Sequence, residues 1–272
     1  MNIKIGYSKK MIFLMHPGVP SAARTLIWEV FFALRQRGID FSTHFPWIEQ
    51  AIGTYCLTLS ETNDGPPLAT LVLRELDLSS GSRCAMIGLV CVNHAWRGQG
   101  LSTRLISNAL AFAAEQQIHS LLLWTTQPGI YSKHGFTSNT ETCETFGQVK
   151  VNSSRACALV KFSKNHPGTS RGLPPFGKQL IRFESDTAEL IGVETVEGMA
   201  LAECSGSPSA VLDLIETAFP ATWNLNAPAD SPIFKEINRR GHLYMPLPCA
   251  KRMVLHLSEP SYIPYISILE RI

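Results

Sequence analysis

The chain has 272 residues, 45% of them hydrophobic and 17% charged, a balance that builds one to two packed domains and excludes a disordered chain. A formal net charge of +2 with no block of like charge excludes the basic footprint of a nucleic-acid or anionic-membrane binder. The seven cysteines are scattered, odd in number and without Cys-x-x-Cys spacing, which argues against a disulfide framework or a zinc site and for a reducing cytoplasm.

In chain order, the apolar run 11–15 predicts a short strand and is too short for a signal-peptide core. Pro20 or Ser21 opens a helix to about Arg37, with Gly38 as its C-terminal cap and Leu26, Ile27, Val30, Phe31 and Leu34 on its apolar face. Glu29 interrupts that run, and no segment reaches the roughly 20 apolar residues of a membrane span. A shorter helix is expected over 46–52. Strands follow at 54–60, 68–76 and 83–92, turned by Asn63-Asp-Gly-Pro-Pro67 and by Ser79-Ser-Gly81.

Residues 85–92 form a continuous apolar run, as in a fully buried strand, and 101–117 repeat apolar residues at helical spacing. Between them stands Trp96-Arg97-Gly98-Gln99-Gly100-Leu101-Ser102. The first amides of a helix have no intrahelical acceptor and lie at the positive end of its dipole. Gly98 and Gly100 let a backbone approach a ligand closely, and Arg97 offers a planar cation to phosphate oxygens. The stretch reads as a diphosphate cradle. Beyond it come a buried strand (120–125), a short helix from Pro128 to His134 closed by Gly135, and strands at 136–138 and 155–162.

Arg97-x-x-Gly100-x-Ser102 resembles the Arg/Gln-x-x-Gly-x-Gly/Ala loop of the GNAT N-acyltransferases, which holds the pyrophosphate of acetyl-CoA. The resemblance runs from Val90-Cys91-Val92 to Tyr131-Ser-Lys-His-Gly135-Phe136, and Ser102 departs from the pattern where the family has Gly or Ala. It implies an α/β GNAT fold with a mixed, mostly antiparallel twisted sheet flanked by helices. It also implies acetyl-CoA held by Val90, Cys91, Val92, Arg97, Gly98, Gln99, Gly100, Leu101 and Ser102, with Tyr131 protonating the departing thiolate. No metal is expected. The general base is not readable: 85–92 carries no glutamate, His94 is a candidate read first as a solvated loop residue, His119 and His134 read as surface residues at element ends, and ordered water is the alternative. Cys91, a lone thiol in an apolar strand, reads as inert core. Trp28, His44, Trp47 and Tyr55 are candidates for the acceptor wall, each read first as core.

Residues 164–178 are a linker by their proline, glycine and serine content. The remainder, 179–272, predicts a strand at 199–204, a helix from Ser207-Pro208 to Phe219, a strand at 223–226, a helix at 231–240, and strands at 243–245 and 252–257. This order echoes 1–163, yet Gly206-Ser-Pro-Ser-Ala stands where the phosphate loop would be. The expectation is a catalytic GNAT domain (1–163), a linker (164–178) and a smaller, degenerate GNAT-like α/β domain (179–272). The function expected is acetyl-CoA-dependent N-acetyl transfer to a primary amine of a small molecule or an exposed peptide, by a cytoplasmic monomer or small homo-oligomer. A non-catalytic acyl-CoA-binding module and a tandem aminoacyl- or peptidoglycan-type transferase are the alternatives.

Overall fold

The computed structural model describes residues 11–48, 51–76, 83–138, 144–152, 161–164, 171–228, 230–260 and 262–272. Two compact units emerge, one from 1–36, 48–121 and 256–260, the other from 37–47, 122–255 and 261–272.

The first sheet has the order β1-β2-β3-β4-β5-β13, from β1 (Ile12–Pro17), β2 (Thr54–Ser60), β3 (Ala69–Leu76), β4 (Cys84–Val92), β5 (Ser120–Thr125) and β13 (Lys251–His256). β1 to β4 form an antiparallel meander. Their strand character follows from near-continuous apolar runs: every residue of β4 from Cys84 to Leu89 is buried. Helix α1 (Ser21–Phe31) buries Ala23, Leu26 and Ile27, and α3 (Leu101–Glu115) buries Leu101, Leu105, Ile106, Ala109, Phe112 and Ala113.

The first helix ends earlier than its periodicity predicts. It breaks at Phe32, a tighter turn covers Ala33–Arg35, Gln36 takes φ 50°, and Leu34 is solvent-exposed rather than on a buried face. The helix expected over 46–52 does not form among the described residues. A single turn, α2 (Phe41–His44), precedes it instead, because the Asp40 carboxylate accepts hydrogen bonds from the Thr43 amide and from the Ser42 and Thr43 hydroxyls.

The second sheet has the order β12-β6-β11-β10-β9-β8-β7, from β6 (Glu144–Lys150), β7 (Lys161–Lys164), β8 (Gly177–Glu184), β9 (Ala188–Thr195), β10 (Gly198–Gly206), β11 (Thr222–Pro228) and β12 (Leu243–Pro246). It is mixed: β10 and β11 run parallel and the other neighbouring strands are antiparallel. Helices α5 (Pro208–Ala218) and α6 (Pro232–Arg239) cover one face through Val211, Leu212, Leu214, Ile215, Ile233 and Ile237. On the other face Leu173, Ile268 and Leu269 pack against Ile191, Val193, Ala200 and Ala202.

Five sequence expectations change here. β8 and β9 are strands that the sequence reading passed over, and Gly177 and Lys178, placed in the linker, already belong to β8. β6 is likewise an addition. The strand expected at 136–138 is a single bridge, Thr137 to Val254. The described part of the strand expected at 155–162 is β7, whereas 155–160, the turn at 79–81 and linker residues 165–170 lie outside the described residues. β13, expected within the 179–272 domain, closes the first sheet beside β5, and β6, from the expected 1–163 domain, lies between β11 and β12.

Candidate functional site

β4 carries a bulge at the point where it nears the glycine loop. Thr70 pairs with Cys91 and Val72 with Gly88, so Leu89 and Val90 together oppose Leu71. Leu89 adopts φ 49°, a left-handed conformation that a branched residue holds only under constraint from its surroundings. The bulge bends the strand and disturbs its ladder just before Val90-Cys91-Val92. Beyond it Val90 and Val92 are half-buried and share one face, and Cys91 is buried on the other. Nothing in the sequence announces the bulge beyond Gly88 beside it.

The Cys91 thiol lies 3.2 Å from the Thr70 hydroxyl, and burial pushes its pKa up to about 11. Cys56, also buried, is pushed up to about 12. Neither is a thiolate at neutral pH, which agrees with the reading of Cys91 as inert core.

After β4 the Asn93 side chain caps a tight turn over His94–Trp96 by accepting from the Ala95 amide, 3.0 Å away. The chain then runs through Arg97, whose Nε donates to the Val92 carbonyl at 3.4 Å, into two left-handed glycines, Gly98 (φ 76°) and Gly100 (φ 74°). A Cβ built on either glycine meets nothing within 4 Å. The space over the loop is open, and what demands glycine is the backbone angle. Gly100 is the N-cap of α3 and supplies no side-chain cap; the first helical bond runs from the Arg104 amide to the Gly100 carbonyl at 3.1 Å. The amides of Leu101, Ser102 and Thr103 therefore point past the helix start without an intrahelical acceptor, and no acidic side chain occupies the first turn. Such an end, 15 residues of helix behind it, accepts an anion. Arg97, Gly98, Gln99 and Gly100 are exposed around it and Ser102 is half-buried.

Tyr131 belongs to the other unit. It lies in the short helix α4 (Pro128–Ser132), its ring set edge-on to buried Phe136 at 6.1 Å. Its carbonyl accepts from the His134 amide at 2.9 Å, and Gly135 (φ 89°) turns the chain out of the helix. Burial raises the phenol pKa above its ordinary value. The hydroxyl stays protonated at neutral pH and can act as a proton donor.

The acceptor-wall candidates are engaged within the protein. Trp28 stacks on Phe32 at 4.7 Å. His44 is buried, accepts at Nε2 from the Ile39 amide and donates from Nδ1 to the Leu173 carbonyl, which fixes the orientation of its ring. Trp47 is buried edge-on to Phe45. Tyr55 packs on Phe112, and its hydroxyl donates to Glu75 at 3.3 Å.

The corresponding connection in the second half has no loop. β10 carries a bulge at Ala202, as β4 does at Leu89, but ends at Gly206, and Ser207 at once caps α5 by accepting from the Ala210 amide. A Cβ on Gly206 would stand 2.6 Å from the Thr187 carbonyl oxygen. Backbone fills the place that is open over Gly100, and Pro208 removes an amide from the helix start.

A family model for the acetyltransferase (GNAT) family matches residues 21–136, which span α1, the β2–β4 meander, the loop, α3, β5 and Tyr131. The match covers 116 of the 272 residues, the stretch that holds the loop and Tyr131. Solved structures extend the likeness to the rest as a fold. A tandem GNAT protein from the clavulanic acid biosynthesis pathway is 10% identical, with a TM-score of 0.59 over 93% of this chain and 100% of that one. A probable N-acyltransferase from Enterococcus faecalis is 12% identical, with a TM-score of 0.61 over 91% of this chain and 73% of its own. A GCN5-related N-acetyltransferase from Anabaena variabilis is 13% identical, with a TM-score of 0.63 over 89% and 72%. No curated protein matches the sequence. The chain thus has a two-sheet tandem GNAT fold. Among the described residues no cluster of metal-ligating side chains occurs, and no helix is long and apolar enough to cross a membrane.

Proposed function

We propose that the chain is an N-acyltransferase that moves an acetyl group from acetyl-CoA to a primary amine of a small molecule or an exposed peptide. The observation that carries this reading is the bulged strand running through two left-handed glycines into an uncapped helix start, within the segment that matches the GNAT family. The amides from Gly98 to Ser102, with Arg97, hold the diphosphate. The backbone of Val90, Cys91 and Val92 holds the pantetheine arm and donates an N–H to the thioester oxygen as negative charge gathers there.

The amine, having lost its ammonium proton to solvent water, attacks the thioester carbon. The carbon–sulfur bond breaks, the Tyr131 hydroxyl protonates the departing sulfur, the acylated nitrogen gives up its surplus proton to water, and the phenolate regains its proton from water. The products are an amide and free coenzyme A, with no covalent enzyme intermediate. We assign the catalytic role to the loop-bearing part of the chain within 1–163 and a non-binding, GNAT-like role to the part within 179–272. A cytoplasmic setting is supported by the seven scattered cysteines, odd in number and without Cys-x-x-Cys spacing.

One observation favours the non-catalytic alternative: β4 contains no carboxylate to serve as a base. Calorimetric titration with coenzyme A, paired with thiol release from acetyl-CoA over a panel of amines, tests both. Saturable binding with turnover on at least one amine is expected. Binding without turnover on any amine establishes the binding-module reading, and failure to bind coenzyme A overturns both.

A further inference from the structure

β8 and β9 pair as Gly177 with Thr195 and then as Gln179 with Glu194, which leaves Lys178 as an extra residue in the ladder. Consecutive side chains of a regular strand point to opposite faces, and a bulge re-aims one of them. Lys178 and Gln179 accordingly line the same concavity, of about 620 Å³, on the second sheet. Half-buried Ile181 continues the lining, and the buried Phe183 and Met199 form its floor.

Glu194, which faces Gln179 in the ladder and lines the same concavity as Lys178, accepts a hydrogen bond at Oε2 from the Gln179 side-chain amide, which leaves Oε1 for another donor. The Lys178 ammonium is exposed and has no protein partner among the described residues. One lysine and one carboxylate thus stand over an apolar floor, and the volume lies within the roughly 300–1,000 Å³ of small-molecule sites.

We infer that this concavity binds an α-amino acid with an apolar side chain. Lys178 takes the carboxylate, Glu194 the ammonium, and the side chain lies over Ile181 toward Phe183 and Met199. A fatty carboxylate would meet repulsion from Glu194, and a nucleotide would find one cation for several phosphate charges. The inference is independent of the transferase reading.

The test titrates the full chain with three probes: L-phenylalanine, phenethylamine (no carboxylate) and 3-phenylpropionate (no amine). L-phenylalanine should bind saturably at about millimolar concentration or below, with each truncated probe at least about tenfold weaker. Lys178→Ala should lower L-phenylalanine affinity about tenfold and leave phenethylamine unchanged; Glu194→Gln should leave 3-phenylpropionate no weaker while weakening L-phenylalanine. Circular dichroism melting of both variants, expected to match that of the parent, separates loss of the site from loss of the fold. No saturable binding of L-phenylalanine, equal binding of the three probes, or variants that bind L-phenylalanine as the parent does would each overturn the assignment.

Discussion

Gly100 and Gly206 each end a strand-to-helix connection, and a methyl group added to them should have different consequences. At Gly100 the left-handed angle alone resists alanine, at about 1–2 kcal/mol, because nothing lies within 4 Å of the new Cβ. Gly100→Ala should therefore fold, while its Cβ occupies the space the diphosphate needs and coenzyme A affinity falls at least about tenfold. At Gly206 the added carbon meets the Thr187 carbonyl, so Gly206→Ala combines backbone strain with overpacking, which costs typically about 1–3 kcal/mol. Denaturant unfolding of the two variants should rank Gly206→Ala as the less stable. Tyr131→Phe should lower turnover by about 10²–10⁴ with coenzyme A affinity nearly unchanged, as expected of a general acid. The sign of its pH dependence follows from burial: the neutral phenol is the active form, and burial holds its proton to a higher pH than an ordinary phenol. In the proposed role, any alkaline loss of rate that belongs to Tyr131 should lie above the range in which an ordinary phenol titrates, and should be absent from the Phe variant.

At the scale of the element, what the sequence revealed depended on how local the cause was. β2 and β5 fall where their apolar runs put them, and α3 starts at Leu101 as its glycine boundary requires. Those signals are complete within a dozen residues. β8 and β9 carry glutamates, arginine and threonine among short apolar pairs, and their strand state comes from pairing with each other and with β10. The β4 bulge was invisible for a related reason, since Leu89 has no preference for a left-handed angle and takes it under tertiary constraint. The turn at the loop, by contrast, was legible, because Gly98 and Gly100 take the left-handed angles that glycine permits. That contrast also decides the second half. β10 and α5 are joined through Ser207 alone, which leaves no span of amides to wrap a diphosphate. A coenzyme A titration should saturate at one equivalent per chain, and two equivalents would contradict this account of the β10–α5 junction.

For the molecule as a whole, the exchanged strands matter more than the linker. β6 precedes the 164–178 stretch and pairs with β11 and β12, which follow it, whereas β13 follows that stretch and closes the first sheet. Cutting the chain after Lys164 leaves β5 as an open edge and β6 without either partner strand. Exposed edges of this kind promote association between chains. The 1–164 fragment should be markedly less stable than the full chain and prone to aggregate. A fragment that stays monomeric by sedimentation and melts within a few degrees of the parent would show the exchange to be dispensable.

The exchange also sets a timetable for synthesis. The buried hydroxyl of Ser120 bonds to His256 Nδ1 at 2.8 Å, across 136 residues of sequence. A ribosome adding roughly 5–20 residues per second needs on the order of 7–27 s to travel from one to the other. Through that interval the nascent chain carries a nearly complete first sheet whose last edge awaits residues not yet made. Chaperones that shield apolar edges have their window here, and slower translation over the second half would prolong it.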